Sequence, residues 1–243
     1  MLIIPTIYIW NNESVAVYKG DISQIQRYRR SPLEFAQSFI NDGAKHIYIV
    51  DLNASRNPDP ADSMHSINKE LISEMKRRID PSCELILGGG IRDENEIKTL
   101  FETGIDKVVL GVSAEEIYAK SIQVYGPEKI IVGVQAKGDE VKTDQKLNFP
   151  LRVIDFAEKL SSYGVTQILY KDIFKEGTQV NPNYDEVDRL LNMTTLKVYA
   201  SGGISKIKHL QLLEKIGVYG AIIGKAFYEH ELSLRECLRE FNK

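Results

Sequence analysis

The chain has 243 residues, a formal net charge of −3, and 43% hydrophobic against 27% charged residues, the balance of an ordinary globular protein long enough to bury a core without staples. Acidic and basic residues are interspersed with no basic patch or stripe, which excludes a nucleic-acid footprint. No apolar run reaches the length of a membrane span, and the two distant cysteines, Cys83 and Cys237, form neither a disulfide framework nor a metal cluster and point to a reducing, cytoplasmic compartment.

The opening MLIIPTIYIW lacks a basic leader or cleavage site and reads as a first strand rather than a signal peptide. Short apolar runs rich in β-branched residues then recur: Leu2–Ile9, His46–Val50, Glu84–Leu87, Lys107–Leu110, Ile130–Val134, Gln167–Tyr170, Lys197–Ala200 and Gly220–Ile223. Such runs suit strands buried on both faces. Amphipathic stretches lie between them, over Pro32–Asn41, Ile67–Ile79, Glu94–Glu102 and Leu151–Ser162. In the last of these, Leu151, Ile154, Phe156, Ala157 and Leu160 form an apolar stripe at helical spacing. Strands alternating with helices imply a parallel sheet. No Pro/Gly/Ser-rich linker divides the chain, so the pattern predicts one α/β domain over residues 1–243, a (β/α)₈ TIM barrel.

An internal repeat supports the barrel further. Gly88-Gly89-Gly90-Ile91-Arg92 and Ser201-Gly202-Gly203-Ile204-Ser205 lie 113 positions apart, and at that offset Leu100 meets Leu213, Gly104 meets Gly217 and Gly111 meets Gly224. The match implies two similar half-barrels, each with a glycine pair after one strand and a single glycine after the next. Glycines let backbone N–H groups approach a phosphate closely, and a helix start adds a favourable dipole. The candidate phosphate-binding residues are therefore Gly89, Gly90, Arg92, Gly111 and Ser113 in one half, and Ser201, Gly202, Gly203, Gly224 and Lys225 in the other. The alternative is that the glycines merely permit tight strand-to-helix turns. Two copies at strand C-terminal ends favour a ligand with a phosphate at each end. No His/Cys/carboxylate group has ligand spacing, so neither metal nor other cofactor is implied.

The segments Ile3-Ile4-Pro5, Tyr18-Lys19-Gly20-Asp21, Val50-Asp51-Leu52, Gly88 to Arg92, Asp172-Ile173, Glu176-Gly177-Thr178, Ala200 to Ile204 and Gly224-Lys225-Ala226 are together similar to those of the phosphoribosyl-formimino-aminoimidazole-carboxamide ribotide isomerases of histidine biosynthesis. The resemblance covers essentially the whole chain. It implies an Amadori rearrangement of a bis-phosphorylated ribotide, with Lys19, Asp51, Asp172, Gly177 and Thr178 among the substrate-positioning residues. Asn53-Ala54-Ser55 and Ala136-Lys137 resemble the sister cyclase subunit of imidazole glycerol phosphate synthase, which would imply a glutaminase-like partner. Val109-Leu110-Gly111 and Ile222 to Tyr228 fit the isomerase better.

The rearrangement needs an acid for the ring oxygen and a base for the C2 proton, roles that paired carboxylates serve. The family pattern has aspartates where this chain has Tyr8 and Gln135, a threonine where it has Lys171, and a Gly-Trp pair where it has Gln145-Lys146. Gln135 cannot exchange a proton near neutral pH, and a phenol is a poor base. Tyr8, Gln135 and Lys171 thus stand at the catalytic positions with altered identities. Lys171 can act as a base or form an imine with a carbonyl ligand; it can equally pair with Asp51 or another acidic residue, or contact a phosphate. Asp51 and Asp172 end strands and can position the ligand, whereas Asp172 can also cap local backbone N–H groups. Tyr8 and Trp10 can serve as packing. His46 begins a strand at the far face and His209 lies on a helix, so neither reads as catalytic. Three functions follow: an altered isomerase, a non-catalytic barrel that binds a phosphosugar, or a cyclase-like subunit.

Overall fold

The computed structural model describes residues 1–57, 59, 63–143 and 150–241. Gln145-Lys146 lie outside the described residues. Along the chain run β1 (Leu2–Trp10), β2 (Glu13–Tyr18), β3 (Asp21–Arg27), β4 (His46–Asp51), β5 (Glu84–Gly88), β6 (Lys107–Gly111), β7 (Ile130–Lys137), β8 (Glu140–Val141), β9 (Gln167–Asp172), β10 (Lys197–Ser201) and β11 (Gly220–Ile223). Parallel pairing runs β1-β4-β5-β6-β7-β9-β10-β11, and β11 returns to β1 with Ile4 opposite Ile222, closing an eight-stranded barrel. Helices join the strands, as the alternating pattern predicts.

Side-chain alternation along these strands sorts two apolar layers. Ile3, Ile7, Ile47 and Ile49 face outward and pack with helix residues such as Phe35, Phe39 and Met75. Ile4, Val50, Ile86, Val109, Leu169 and Ile222 fill the barrel interior. The helices form where the periodicity places them: Pro32–Asn41 and Glu94–Glu102 as expected, Lys69–Arg78 within Ile67–Ile79, and Val153–Ser162 within Leu151–Ser162. Ser31 starts the first through a reciprocal capping box with Glu34, with Pro32 in the first turn, which satisfies N–H groups the helix cannot satisfy itself.

Two features go beyond the sequence reading. The strands run one to three residues further at their C-terminal ends, to Asp51, Asp172 and Ser201 and, in β7, to Lys137; polar residues there face the barrel mouth and break the apolar pattern. Between β1 and the first helix, β2 and β3 form an antiparallel hairpin on β1. Its two-residue turn is Lys19-Gly20, with φ of 50° and 69°, the left-handed pair that matches strand twist.

The half-barrel repeat is visible in the backbone. Gly89 and Gly202 have φ of 105° and 97°, Gly90 and Gly203 have 75° and 78°, and Gly104 and Gly217 have 92° and 94°. Close approach also demands glycine. A Cβ on Gly89 would lie 2.2 Å from the Asp51 carbonyl oxygen, and one on Gly202 would lie 2.7 Å from that of Asp172. The tight-turn role is thus real in both halves, and it seats each glycine pair against the neighbouring strand end.

Candidate active site

The strand C-terminal ends open into two cavities that meet at one cluster of side chains. The larger, about 380 Å³, is lined by Gly89, Gly90, Arg92, Gly111 and Ser113, with Gln135 and Lys171 on its wall. The smaller, about 60 Å³, is lined by Ser201, Gly202, Gly203, Gly224 and Lys225, with Gly177 and Thr6. Each glycine set named from the repeat therefore lies together in one cavity. Tyr8, Val17, Glu176 and Ser201 line both cavities and form the partition between them.

Three chemically active groups meet in that partition. Tyr8 Oη donates to Glu176 Oε1 at 2.8 Å, and Lys171 Nζ donates to Glu176 Oε1 at 3.0 Å and to Tyr8 Oη at 3.2 Å. The Lys171 and Glu176 side chains are only 14% and 8% exposed, so this ion pair is desolvated and geometrically constrained, unlike a surface pair. Burial raises the Tyr8 phenol well above its usual range, and the adjoining Glu176 carboxylate raises it further. Tyr8 is thus a proton donor held neutral, not a base.

Strand register explains the convergence. Tyr8 lies on β1 beside Val50 of β4 and packs with the barrel-interior residues. Lys171 lies on β9 with Gln135 opposite on β7 and Ser201 opposite on β10. Glu176 comes from the loop after β9. Its N–H and that of Lys175 both donate to the Asp172 carbonyl, which curls the loop back over the barrel. The hairpin holds it there: Lys19 N–H donates to the Glu176 carbonyl at 2.9 Å. Gly177, at φ 70°, packs so closely that a Cβ would lie 2.4 Å from the Val17 carbonyl oxygen.

Lys171 pairs with an acidic residue, and that residue is Glu176 rather than Asp51. Asp51 is turned into the scaffold: its carboxylate accepts from Ala54 N at 3.0 Å and Asn68 Nδ2 at 2.7 Å. Burial is the main reason its carboxyl is raised from its usual range. Asp172 is used in the same way by Phe174 N and Asn183 Nδ2. Arg92 donates to the carbonyls of Gly90, Ala54 and Ser55, so it fixes the glycine loop while lining its cavity. Ser201 Oγ donates to the Ile222 carbonyl. Lys225 Nζ lies 3.8 Å from Glu229.

Lys19 sits exposed at the hairpin turn with its ammonium over the Tyr18 ring. Thr178 Oγ1 donates to the Lys175 carbonyl. Neither side chain lines either cavity. Asn53 is fully buried, and its side chain bonds Asn11 and Asn68; Lys137 lies over the Phe174 ring. His46 begins β4 and meets Glu84, at the opposite end of the barrel from the cluster. Among the described residues, no group of three or more His, Cys, Asp or Glu could hold a metal, and no helix is long and apolar enough to cross a membrane.

Glu176 was not named as a site residue, although it opens the Glu176-Gly177-Thr178 segment that carries the resemblance, since it lies four positions beyond β9. A chemical signal was available too. An ammonium and a phenol replacing polar positions at a barrel mouth call for a carboxylate, and Glu176 is within a short loop of Lys171.

These features define a (β/α)₈ barrel with paired glycine-loop cavities and a carboxylate–ammonium–phenol centre where they meet. The chain belongs to the histidine biosynthesis protein family, whose model matches residues 2–233. It is 36% identical over 247 residues to a protein of Clostridium botulinum strain Langeland, covering 100% of this chain and 98% of that protein. It is 34% identical to one from Clostridioides difficile, covering 98% and 97%, and 34% identical to one from Clostridium novyi, covering 98% of each. All three relatives are named 1-(5-phosphoribosyl)-5-((5-phosphoribosylamino)methylideneamino) imidazole-4-carboxamide isomerase.

Proposed function

We propose that this chain catalyses the aldose-to-ketose rearrangement of a bis-phosphorylated aminoimidazole carboxamide ribotide, with one phosphate in each glycine-loop cavity. The observation that carries the reading is Glu176, a shielded carboxylate at the junction of the two cavities. A ligand whose ends occupy the two loops passes its sugar carbons over that point. Glu176 takes the C2 proton, and Lys171 supplies the proton or hydrogen bond that the opening ring oxygen needs. Tyr8 holds the Glu176 oxygen in place through its hydrogen bond. Gln135 is a neutral donor and acceptor that orients rather than ionises.

A non-catalytic phosphosugar-binding barrel is the second reading, favoured by the neutral amide at Gln135. The two readings separate in one assay, in which purified protein is given the bis-phosphorylated formimino-ribotide and the ribulosyl product is followed. The isomerase reading expects turnover that falls about 100-fold or more in Glu176→Gln, the size of effect of one positioned acid-base group. Binding without turnover in the wild type supports the binding barrel and overturns the isomerase. A cyclase-like role with a glutaminase partner would show instead as co-purification with a glutaminase-like subunit.

A further inference from the structure

We propose that Lys171 is an imine-forming nucleophile, which gives this barrel a second activity on phosphorylated ketoses: covalent capture of the open-chain carbonyl and exchange of the adjacent carbon-bound proton. The inference rests on the same cavities as the isomerase reading but not on ribotide turnover. Four observations carry it. First, Lys171 projects from the end of β9 into the wall of the larger cavity with a side chain only 14% exposed, so its amine meets ligand rather than bulk water. Second, Glu176 Oε1 lies 3.0 Å from its ammonium, a positioned acceptor to which the nitrogen's proton passes as the amine is freed for attack. Third, Tyr8 Oη lies 3.2 Å from Nζ and is held neutral, so a phenol donor stands beside the nitrogen. Fourth, the side chain in register with Lys171 on β7 is Gln135, a neutral amide. That amide puts no second negative charge beside the nitrogen and can both donate to and accept from a ligand.

Glu176 first takes a proton from the Lys171 ammonium, and the freed amine attacks the ketose carbonyl carbon. The carbonyl oxygen takes the Tyr8 proton and Tyr8 recovers one from the attacking nitrogen, which leaves a neutral carbinolamine hydroxyl. Protonated Glu176 returns its proton to that hydroxyl, which leaves as water. The sum is ammonium plus ketone giving a protonated imine plus water, with no net change of charge and no redox change. Glu176, again a carboxylate, then removes a proton from the adjacent carbon to give the enamine, and the reverse step in heavy water returns a deuteron. Lys171 lines the larger glycine-loop cavity and the smaller one lies just past the Tyr8–Glu176 partition, so the site selects ketoses with a phosphate at each end.

Reductive trapping tests this directly. The protein is incubated with ribulose bisphosphate and cyanoborohydride, and the adduct is located by intact-mass and peptide mass spectrometry. One adduct per chain on the peptide holding Lys171 is expected, absent in Lys171→Arg. Its formation should be about tenfold or more slower with a ketose monophosphate, which forfeits charge-assisted hydrogen bonds at one loop. Glu176→Gln, which keeps the side-chain shape, should slow trapping at least as much. No adduct, or an adduct retained in a folded Lys171→Arg variant, overturns the proposal. Ribotide turnover without trapping sinks this inference and leaves the isomerase reading standing, whereas trapping without ribotide turnover does the reverse.

Discussion

At the level of single residues, the centre works by neutralising a buried carboxylate from two sides without removing it. Glu176 accepts from one phenol and one ammonium, and the cost of burying its charge is offset by those bonds. Tyr8 carries the converse signature, a phenol pushed up first by burial and then by Glu176. A raised tyrosine contributes stability that is complete below its unfolded value near 10 and is lost as pH rises beyond it. The extra stability of wild type over Tyr8→Phe should therefore be constant from pH 7 to about 10 and shrink by up to about 1.4 kcal/mol per pH unit above that. Urea unfolding across that range measures it. A difference that persists unchanged to pH 11 would mean the phenol is not buried against the carboxylate.

Glycine at the element level does two separable jobs. Gly89 and Gly202 combine a left-handed φ with a carbonyl oxygen where a Cβ would go. Alanine at either should cost about 2–4 kcal/mol, read by chemical denaturation, since both strain and overpacking oppose it. Gly111 differs: its φ is −78°, and a Cβ placed there would meet no heavy atom within 4 Å. Gly111→Ala should leave stability within about 0.5 kcal/mol while its methyl group intrudes on the larger cavity and weakens phosphate binding. Calorimetry with inorganic phosphate beside a thermal melt distinguishes the two jobs; a large loss of stability in Gly111→Ala would show that this glycine, too, is there for the turn.

The elements were legible in the sequence because buried strands and amphipathic helices leave periodic apolar signatures. Pro32–Asn41 and Glu94–Glu102 fall where that periodicity ends. The β2–β3 hairpin was not legible, since its outer strand is partly polar and no longer-range pattern marks its pairing with β1. The glycine cavities were readable from the 113-residue repeat, a purely sequential signal. The candidate centre was only half readable. Tyr8 and Lys171 stand out through the resemblance, as departures from the family pattern, but Glu176 reaches them through the curl of a loop and its bond to the hairpin turn. Asp51 and Asp172 stand at strand ends as well, yet their carboxylates are consumed by Ala54, Asn68, Phe174 and Asn183. Position on a strand says where a residue is, not which neighbours claim it.

For the whole molecule, the closed barrel places two glycine-loop cavities, one large and one small, at either side of the Tyr8–Lys171–Glu176 cluster. A ligand that binds only the folded state raises the melting temperature according to its affinity. A ketose bisphosphate should thus raise it more than inorganic phosphate at the same concentration, and Gly111→Ala should reduce that advantage by emptying one end. Equal shifts for the two ligands would mean that the cavities do not act together.

Central to the account is proton transfer by Glu176 between the two cavities. Its most direct test is single-turnover conversion of the bis-phosphorylated formimino-ribotide by the wild type and by Glu176→Gln, with ligand binding confirmed for both. Rapid product formation in the wild type, with a fall of about 100-fold or more in the variant at unchanged affinity, is the expected result. Equal rates for the two proteins, or a wild type that binds the ribotide and leaves it unconverted, would contradict the account.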